Sequence, residues 1–477
     1  MPLRTSNEYR ASLQDKRRVF FRGQPVEDVT THPAMAEAVA HATIDFDMAE
    51  NPDHRDLAVV DSGLSAYSRY YHLPTSADDL LKRSALIESA TREGRTLVVL
   101  IKEIGTDAIF GLHLATKAMD DALGTDYLPR VQKYYVRCRD QDLALAVAQT
   151  DVKGDRSRGP SDQAHPDYYV RIVERRSDGI VVSGAKVHTS VSVNSNEIIV
   201  LPTRAMAERD ADYAVAFAVT PDTPGVTLLA SPHGTGPRDS FERPLSSGRK
   251  MFETLTVFEN VFVPNERVFL AGEWQFAGPV AVDFVEFHRF TAISYKLPLV
   301  DLLVGSAFLL AEYNGLTRVS HIRDKLARLV AYAETLRALT HAAAARCHMK
   351  APGLAVPDPM LVNLAKLHFA SGYHQAVSWA QDIAGGLLVT GPSSEDLHSP
   401  ETRGYIEKYF GAGEVSAETR LRAMNVLADL TASDFGGYQE VLAVHAEGSI
   451  EAEKLTALRN YNAKATMAYA KTMAGIE

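Results

Sequence analysis

The sequence predicts an α+β protein in which an N-terminal helical domain, a middle antiparallel β domain and a C-terminal helical bundle follow one another along 477 residues. Three observations predict it. Apolar residues recur at mixed helical spacing over 1–149, the period changes to short Val-, Phe- and Thr-rich runs over 150–275, and three- and four-residue spacing returns over 276–477. A hydrophobic content of 46% with 23% charged residues is ordinary for a soluble globular chain. The net charge of -10 disfavours a nucleic-acid surface, whose affinity depends on neutralising phosphates. The N-terminus is charged and lacks an apolar signal core, and no run of about 18 apolar residues occurs, so a cytoplasmic protein without a membrane span is expected. The two cysteines, Cys138 and Cys347, lie far apart and without metal-finger spacing, which predicts neither a disulfide framework nor a four-cysteine cluster.

In the first part, Thr5 and Glu8 have capping-box spacing, and SNEYRASLQDKRRVFF is predicted to run on as a helix. Pro25 and Pro33 interrupt the pattern before AMAEAVAHATIDFDMAE. Ser76, followed by Asp78 and Asp79, opens another helix, and 96–124 carries the longest apolar helical pattern of this half. In the middle part, YYVRIVE and GIVVSGAK predict a β-hairpin turning at Asp178 and Gly179. EIIVLPT, YAVAFAV, GVTLLA, TLTVFENVFV and ERVFL read as further strands. The Gly-, Pro- and Ser-rich segment 231–250 is expected to border a site. In the last part, 297–349 predicts two long helices with Gly305 and Gly315 as weak points. Another helix ends at a glycine pair in SWAQDIAGG, and 416–432 and 448–475 complete the bundle.

Chemistry concentrates in 150–203. A loop with Thr150, Asp151, Lys153, Asp155 and Arg156 precedes the hairpin, and a row of small polar residues from His188 and Thr189 to Ser195 follows it. Such a row can sit behind the polar edge of a flat heterocycle: the loop amides and Thr150 suit a flavin's pyrimidine edge, while Lys153 and Arg156 offer positive charge to a reduced ring or a diphosphate. A surface turn with solvated charges is the alternative reading of the loop. The strings TSNEYRASLQDKRRVFFRG, TDVKGDRS, RIVERRSDGIVVSGAKVHTSVSVNSNEIIVLPT, FENVFVPNERVFL and QDIAGGLLVTGPS resemble the 4-hydroxyphenylacetate 3-hydroxylase family. That family joins flavin-dependent phenol hydroxylases with 4-hydroxybutyryl-CoA dehydratase/vinylacetyl-CoA isomerase; the resemblance covers nearly the whole chain and is closer to the dehydratase branch. It implies an acyl-CoA dehydrogenase-like fold with FAD between the β domain and the bundle. It also implies cofactor contacts from Thr150, Asp151, Lys153, Asp155, Arg156, Lys186, His188 and Thr189. Gln381, Asp382, Gly385 and Gly386 would meet the diphosphate of a flavin held mainly by a neighbouring subunit, in a homotetramer.

The chain departs from both branches. The dehydratase branch holds a [4Fe-4S] cluster with three Cys and one His. Here Val99, Glu103 and Tyr295 take the three Cys positions and His288 keeps the fourth, so no iron–sulfur cluster and no metal is expected. The hydroxylase branch's Arg, Tyr and His positions hold Ile104, Ala108 and Ala146. The resemblance leaves Glu253 as a carboxylate base whose burial beside a flavin would raise its pKa, with His288 and Lys296 as further catalytic groups. Glu103, Tyr295 and a second carboxylate, Glu440 or Glu447, would line the substrate pocket. Each has an interdomain salt bridge as its alternative role. The expected function is a flavin-dependent monooxygenase that hydroxylates an aromatic or related small organic substrate. It would take reduced FAD from a separate flavin reductase, since no G-x-G-x-x-G follows a strand. A cluster-free acyl-CoA isomerase, dehydratase-like or dehydrogenase flavoenzyme is the alternative, and a non-catalytic flavin-binding scaffold the third reading.

Overall fold

The computed structural model describes residues 3–61, 63, 66–236 and 238–476; Pro237 of the segment 231–250 lies outside them. Helix α1 (Ser6–Ala11) opens with the predicted capping box: Thr5 accepts the Glu8 amide, and the Glu8 carboxylate accepts the Thr5 amide at 2.8 Å. It ends at Ala11, well short of the predicted run. Val19–Phe21 instead forms strand β1, hairpinned to β2 (Gln24–Val26) through Arg22 and Gly23 at positive φ, because its β-branched and aromatic residues suit a strand paired on both sides. Helices α2 (Pro33–Ala42), α3 (Ile44–Glu50) and α4 (Pro52–Ala58) follow, then the ribbon β3 (Val59–Asp61) and β4 (Ala66–Ser68), and helices α5 (Ala77–Glu93), α6 (Glu103–Leu123) and α7 (Tyr127–Asp140). Residues 96–102, predicted as helix, form a buried irregular segment with Thr96 and Leu100 at φ +72 and +63.

The middle strands are β5 (Leu145–Ala148), β6 (Arg171–Arg175), β7 (Gly179–Ser190), β8 (Glu197–Val200), β9 (Val215–Val219), β10 (Val226–Ala230), β11 (Glu253–Pro264) and β12 (Val268–Ala271). They form two sheets, ordered β2-β1-β10-β11-β7-β6 and β12-β9-β8-β5. The predicted hairpin is present as β6–β7. Pairing is antiparallel as expected, except that β1–β10 and β5–β8 are parallel. Strands β1 and β2, the ribbon β3–β4 and β5 all come from the first part of the chain, where only helices were expected.

Helix α8 (Trp274–Tyr313) is a single 40-residue helix running through Pro279 and Pro298, so it begins well before the predicted start. Then come α9 (Ser320–Ala345), the ribbon β13 (His348–Lys350) and β14 (Leu354–Val356), α10 (Pro359–Ala384), the short α11 (Leu387–Thr390), α12 (Ser394–His398) and α13 (Arg403–Tyr409), and α14 (Ala417–Thr431), α15 (Asp434–His445), α16 (Ile450–Asn460) and α17 (Ala463–Ala474). Helix α15 fell between the predicted helices, because Gly436 and Gly437 weaken its pattern; Ser433 caps it, accepting the amides of Phe435 and Gly436 at 3.0 and 3.2 Å. By length and composition α8 is long and apolar enough to cross a membrane, yet most of that stretch is buried, against α5, α6, α9 and α10. It crosses α6 closely at Gly111, where a Cβ would stand 2.5 Å from the Phe284 amide nitrogen. A continuous apolar core joins the first helices, both sheets and the bundle.

Candidate active site

The loop and hairpin predicted as a cofactor shelf divide into a back and a front. At the back, Asp151 and Lys186 form an ion pair at 2.8 Å with side chains only 2% exposed. The Lys186 ammonium also donates to the carbonyls of Gln149 and Leu201, both at 2.9 Å, which uses all three of its donors. Asp151 accepts the Val170 amide and the Thr203 hydroxyl. Both side chains are therefore spent on the protein and brace the shelf, where direct cofactor contact was expected. At the front, Lys153 is half-buried at φ +73, and burial, then Arg156, lowers its pKa. Arg156 and Asp155 are exposed, and Asp155 accepts the Ser157 amide and hydroxyl. Thr150 is half-buried, its carbonyl accepting the Val187 amide. His188 is exposed at φ +57, and partial burial of the ring, with Lys153 and His445 nearby, lowers its pKa. Next to it the Thr189 hydroxyl is buried without a hydrogen-bond partner among the described residues. A buried orphan hydroxyl beside an exposed imidazole, with the half-buried Lys153 close to that ring, is suited to dock a polar group.

Glu253 sits at the end of this shelf, because β11 pairs it with Ser190 and pairs Thr254 with Thr189. Its carboxylate accepts the Ser190 hydroxyl, with oxygens 3.0 and 2.8 Å away, and the Tyr438 hydroxyl of α15 at 3.0 Å. Burial raises its pKa to about 7 against the opposing pull of both hydroxyls and of Lys250. Lys250 is itself lowered to about 8, chiefly by burial, and donates to the His233 carbonyl. The segment 231–250 thus brings Lys250 near Glu253 and His233 against the Tyr438 ring.

The remaining predicted groups form separate clusters. His288 on α8 lies 3.1 Å from Asp107 of α6, which also binds Arg83 at 2.7 Å and accepts the Thr291 hydroxyl. Tyr295 donates to Glu447, and the Lys296 ammonium donates to the same carboxylate at 2.9 Å. Lys366 stands 3.8 Å from Glu447 and 3.6 Å from Glu453, and burial shifts Glu447 up and Lys296 down. Tyr295 and Lys296 line a cleft with Thr96, Val98, Phe369 and Gln439. Of the two candidate carboxylates, Glu447 is the one that meets Tyr295 and Lys296. Glu440 is half-buried and stands 3.9 Å from His374, whereas Glu447 lies beyond the end of α15, at φ +57. Glu103 is not among the residues lining the cleft: it is fully buried against Asp45, and burial raises both carboxyls.

At the far end of α10, Gln381 donates to the Thr431 carbonyl and Asp382 pairs with Lys325 at 2.6 Å, so both side chains are engaged within the chain. Gly385, at φ +77, and Gly386 are exposed, with open space where a Cβ would stand. Sequence reasoning missed Tyr438, Asp107, Lys366 and Glu453. Asp107 lies one helical turn beyond Glu103, and that spacing was its signal; Tyr438 was hidden in the unpredicted α15.

Family models described as "4-hydroxyphenylacetate 3-hydroxylase N terminal" and "C terminal" match residues 5–270 and 277–475. The 4-hydroxybutyryl-CoA dehydratase/vinylacetyl-CoA-Delta-isomerase of Clostridium aminobutyricum is 35% identical over 493 residues, covering all of both chains. The oxygenase component of 4-hydroxyphenylacetate 3-monooxygenase of Thermus thermophilus is 27% identical, over 92% of this chain and 90% of its own. Among solved structures, an oxygen-tolerant archaeal 4-hydroxybutyryl-CoA dehydratase from N. maritimus superimposes with a TM-score of 0.92 at 30% identity, covering 100% of this chain and 96% of that one. An oxygenase component of 4-hydroxyphenylacetate 3-monooxygenase complexed with FAD gives 0.92 at 25% identity, covering 98% of each.

Proposed function

We propose, from the premise that this chain belongs to the 4-hydroxyphenylacetate 3-hydroxylase family, that it is an FAD-dependent oxygenase component hydroxylating a small aromatic or related substrate, with Glu253 as its base. The observation that carries this reading is the Glu253 site: a carboxylate at the end of the shelf, held by two hydroxyls, with a pKa near 7. A base titrating there is matched to proton transfer at neutral pH. The residues present suit FAD in two places: the Lys153, His188 and Thr189 front of the shelf, and the bare backbone at Gly385 and Gly386, where close approach of a diphosphate meets no side chain. When bound, reduced FAD, supplied by a separate reductase, would provide the electrons for oxygen activation.

The chain's own residues have three tasks. Glu253 takes the proton from a substrate hydroxyl, leaving the ring richer in electrons for attack by an oxygen electrophile. Lys296 and His288 hold positive or proton-donating groups in the bundle, each fixed by a carboxylate, Glu447 and Asp107. The buried faces of α6, α8 and α15 exclude water. The donor set does not suit an iron–sulfur cluster: Val99 has no ligating atom, Glu103 is turned to Asp45, and Tyr295 is bonded to Glu447.

A second reading, proton abstraction from an acyl-CoA ester, is favoured by the 35% full-length identity to the Clostridium aminobutyricum enzyme, and it would use the same Glu253. Incubation with reduced FAD, ¹⁸O₂ and a panel of phenols separates the two. One labelled oxygen per hydroxylated product is expected. No label in any product, with Glu253-dependent deuterium exchange into a crotonyl-type CoA ester, would overturn the oxygenase reading in favour of the second. We extend the proposal to a homotetramer in which Gly385 and Gly386 face the flavin of a neighbouring subunit.

A further inference from the structure

We infer that Tyr438 is the positioning residue of this site: its hydroxyl, presented by α15, donates to Glu253 and, with Ser190 of β7, holds the carboxylate in one orientation and favours its ionised form. The inference rests on the reading of Glu253 as the base.

Glu253 is the first residue of β11 and lies directly across from Ser190, so strand register alone brings the serine hydroxyl between its two oxygens. A serine has one proton to give. The second donor must come from elsewhere, and it comes from the bundle, 185 residues further on, at 3.0 Å from Oε1. A carboxylate offers about four lone-pair sites, so two donors still leave room for an incoming proton. Donors stabilise the ionised carboxylate and oppose the effect of burial.

The hydroxyl is itself held. Glu253 is its one hydrogen-bond acceptor among the described residues, and its ring stacks on His233 with centroids 5.1 Å apart and planes 27° apart. The segment carrying His233 is tied to the same helices: Asp429 of α14 accepts the amides of Leu245 and Ser246 at 2.9 and 2.8 Å, and Arg238 pairs with Asp434 of α15 at 2.6 Å. The β domain and the bundle therefore meet at the base through Tyr438. The other groups around Glu253 are Lys250, on the segment leading into β11, and Ser190 on β7, with His233 behind the Tyr438 ring. Arg238, Asp434 and Glu37 of α2 act through Lys250.

Tyr438→Phe keeps the ring and its stack and removes only the hydroxyl. Two titrations of the full chain read the result: the isotope-edited infrared carboxyl band of Glu253, identified by difference from Glu253→Gln, and the acidic limb of kcat/KM against pH. Losing a donor to the carboxylate raises its pKa, so both midpoints are expected to move to higher pH by about one unit, a tenfold change in proton affinity. Ser190→Ala is expected to move both the same way. An infrared midpoint that stays in place in Tyr438→Phe overturns the inference. Full activity in Glu253→Gln overturns the underlying reading instead, because that variant removes the base and leaves Tyr438 untouched.

Discussion

Lys186 and Glu253 stand on neighbouring strands, β7 and β11, and burial acts on them in opposite ways. Burial lowers the pKa of Lys186, and donating all three protons to Asp151 and two carbonyls opposes that. Replacing it with Met would leave Asp151 charged and buried without a cation, and breaking such a pair costs about 3–5 kcal/mol. The Lys186→Met chain should therefore unfold at clearly lower urea concentration. Glu253 has only neutral donors, so its pKa rises from the usual carboxylate range to about 7. A carboxyl raised on folding binds its proton more tightly in the native state, so its stabilising effect is full at low pH and is lost as pH rises from about 4.5 to 7. Glu253→Gln escapes that loss. The variant should be more stable than the parent by about 1–3 kcal/mol at pH 8, with the difference vanishing near pH 4 in parallel urea titrations. Its turnover should fall by about 10²- to 10⁴-fold, the usual contribution of a general base, while FAD affinity measured by fluorescence quenching stays unchanged.

The α6–α8 pair holds His288 and the Tyr295–Lys296 pair in place, and its spacing depends on Gly111. A methyl there would meet the Phe284 backbone, which cannot rotate away as a side chain would. Gly111→Ala should cost about 1–3 kcal/mol as overpacking, exceeding the helix-propensity gain, and should lower the urea midpoint. Helix α15 matters in another way: it carries Tyr438 to Glu253 while Gln439 lines the cleft with Lys296. Its Ser433 cap was readable in the sequence, but the following Gly436 and Gly437 hid the helix, whose apolar residues do not gather on one helical face. The hairpin β6–β7 was legible because its turn chemistry and alternation are local. The register that pairs Glu253 with Ser190 was not, since it links β11 to β7 across 63 residues.

Helix α17 lies on the outside of the molecule with every residue exposed, Met467, Tyr469 and Met473 by 61%, 69% and 66%. An apolar helix left in water is unfavourable, which supports the proposed tetramer. Sedimentation should give a species four times the chain mass, and removal of residues 461–477 should shift it to a smaller one; a monomer for the intact chain would contradict the proposal. The sequence by itself determined the family and the order of layers, because hydrophobic period, turn residues and motif strings are written locally along the chain. Only the tertiary structure decided that Asp151 and Lys186 turn inward, that Glu447 and not Glu440 joins Tyr295 and Lys296, and that Tyr438 meets Glu253. Each of the last two contacts joins residues more than 150 positions apart, and the inward turn follows from three-dimensional burial. No local period encodes either.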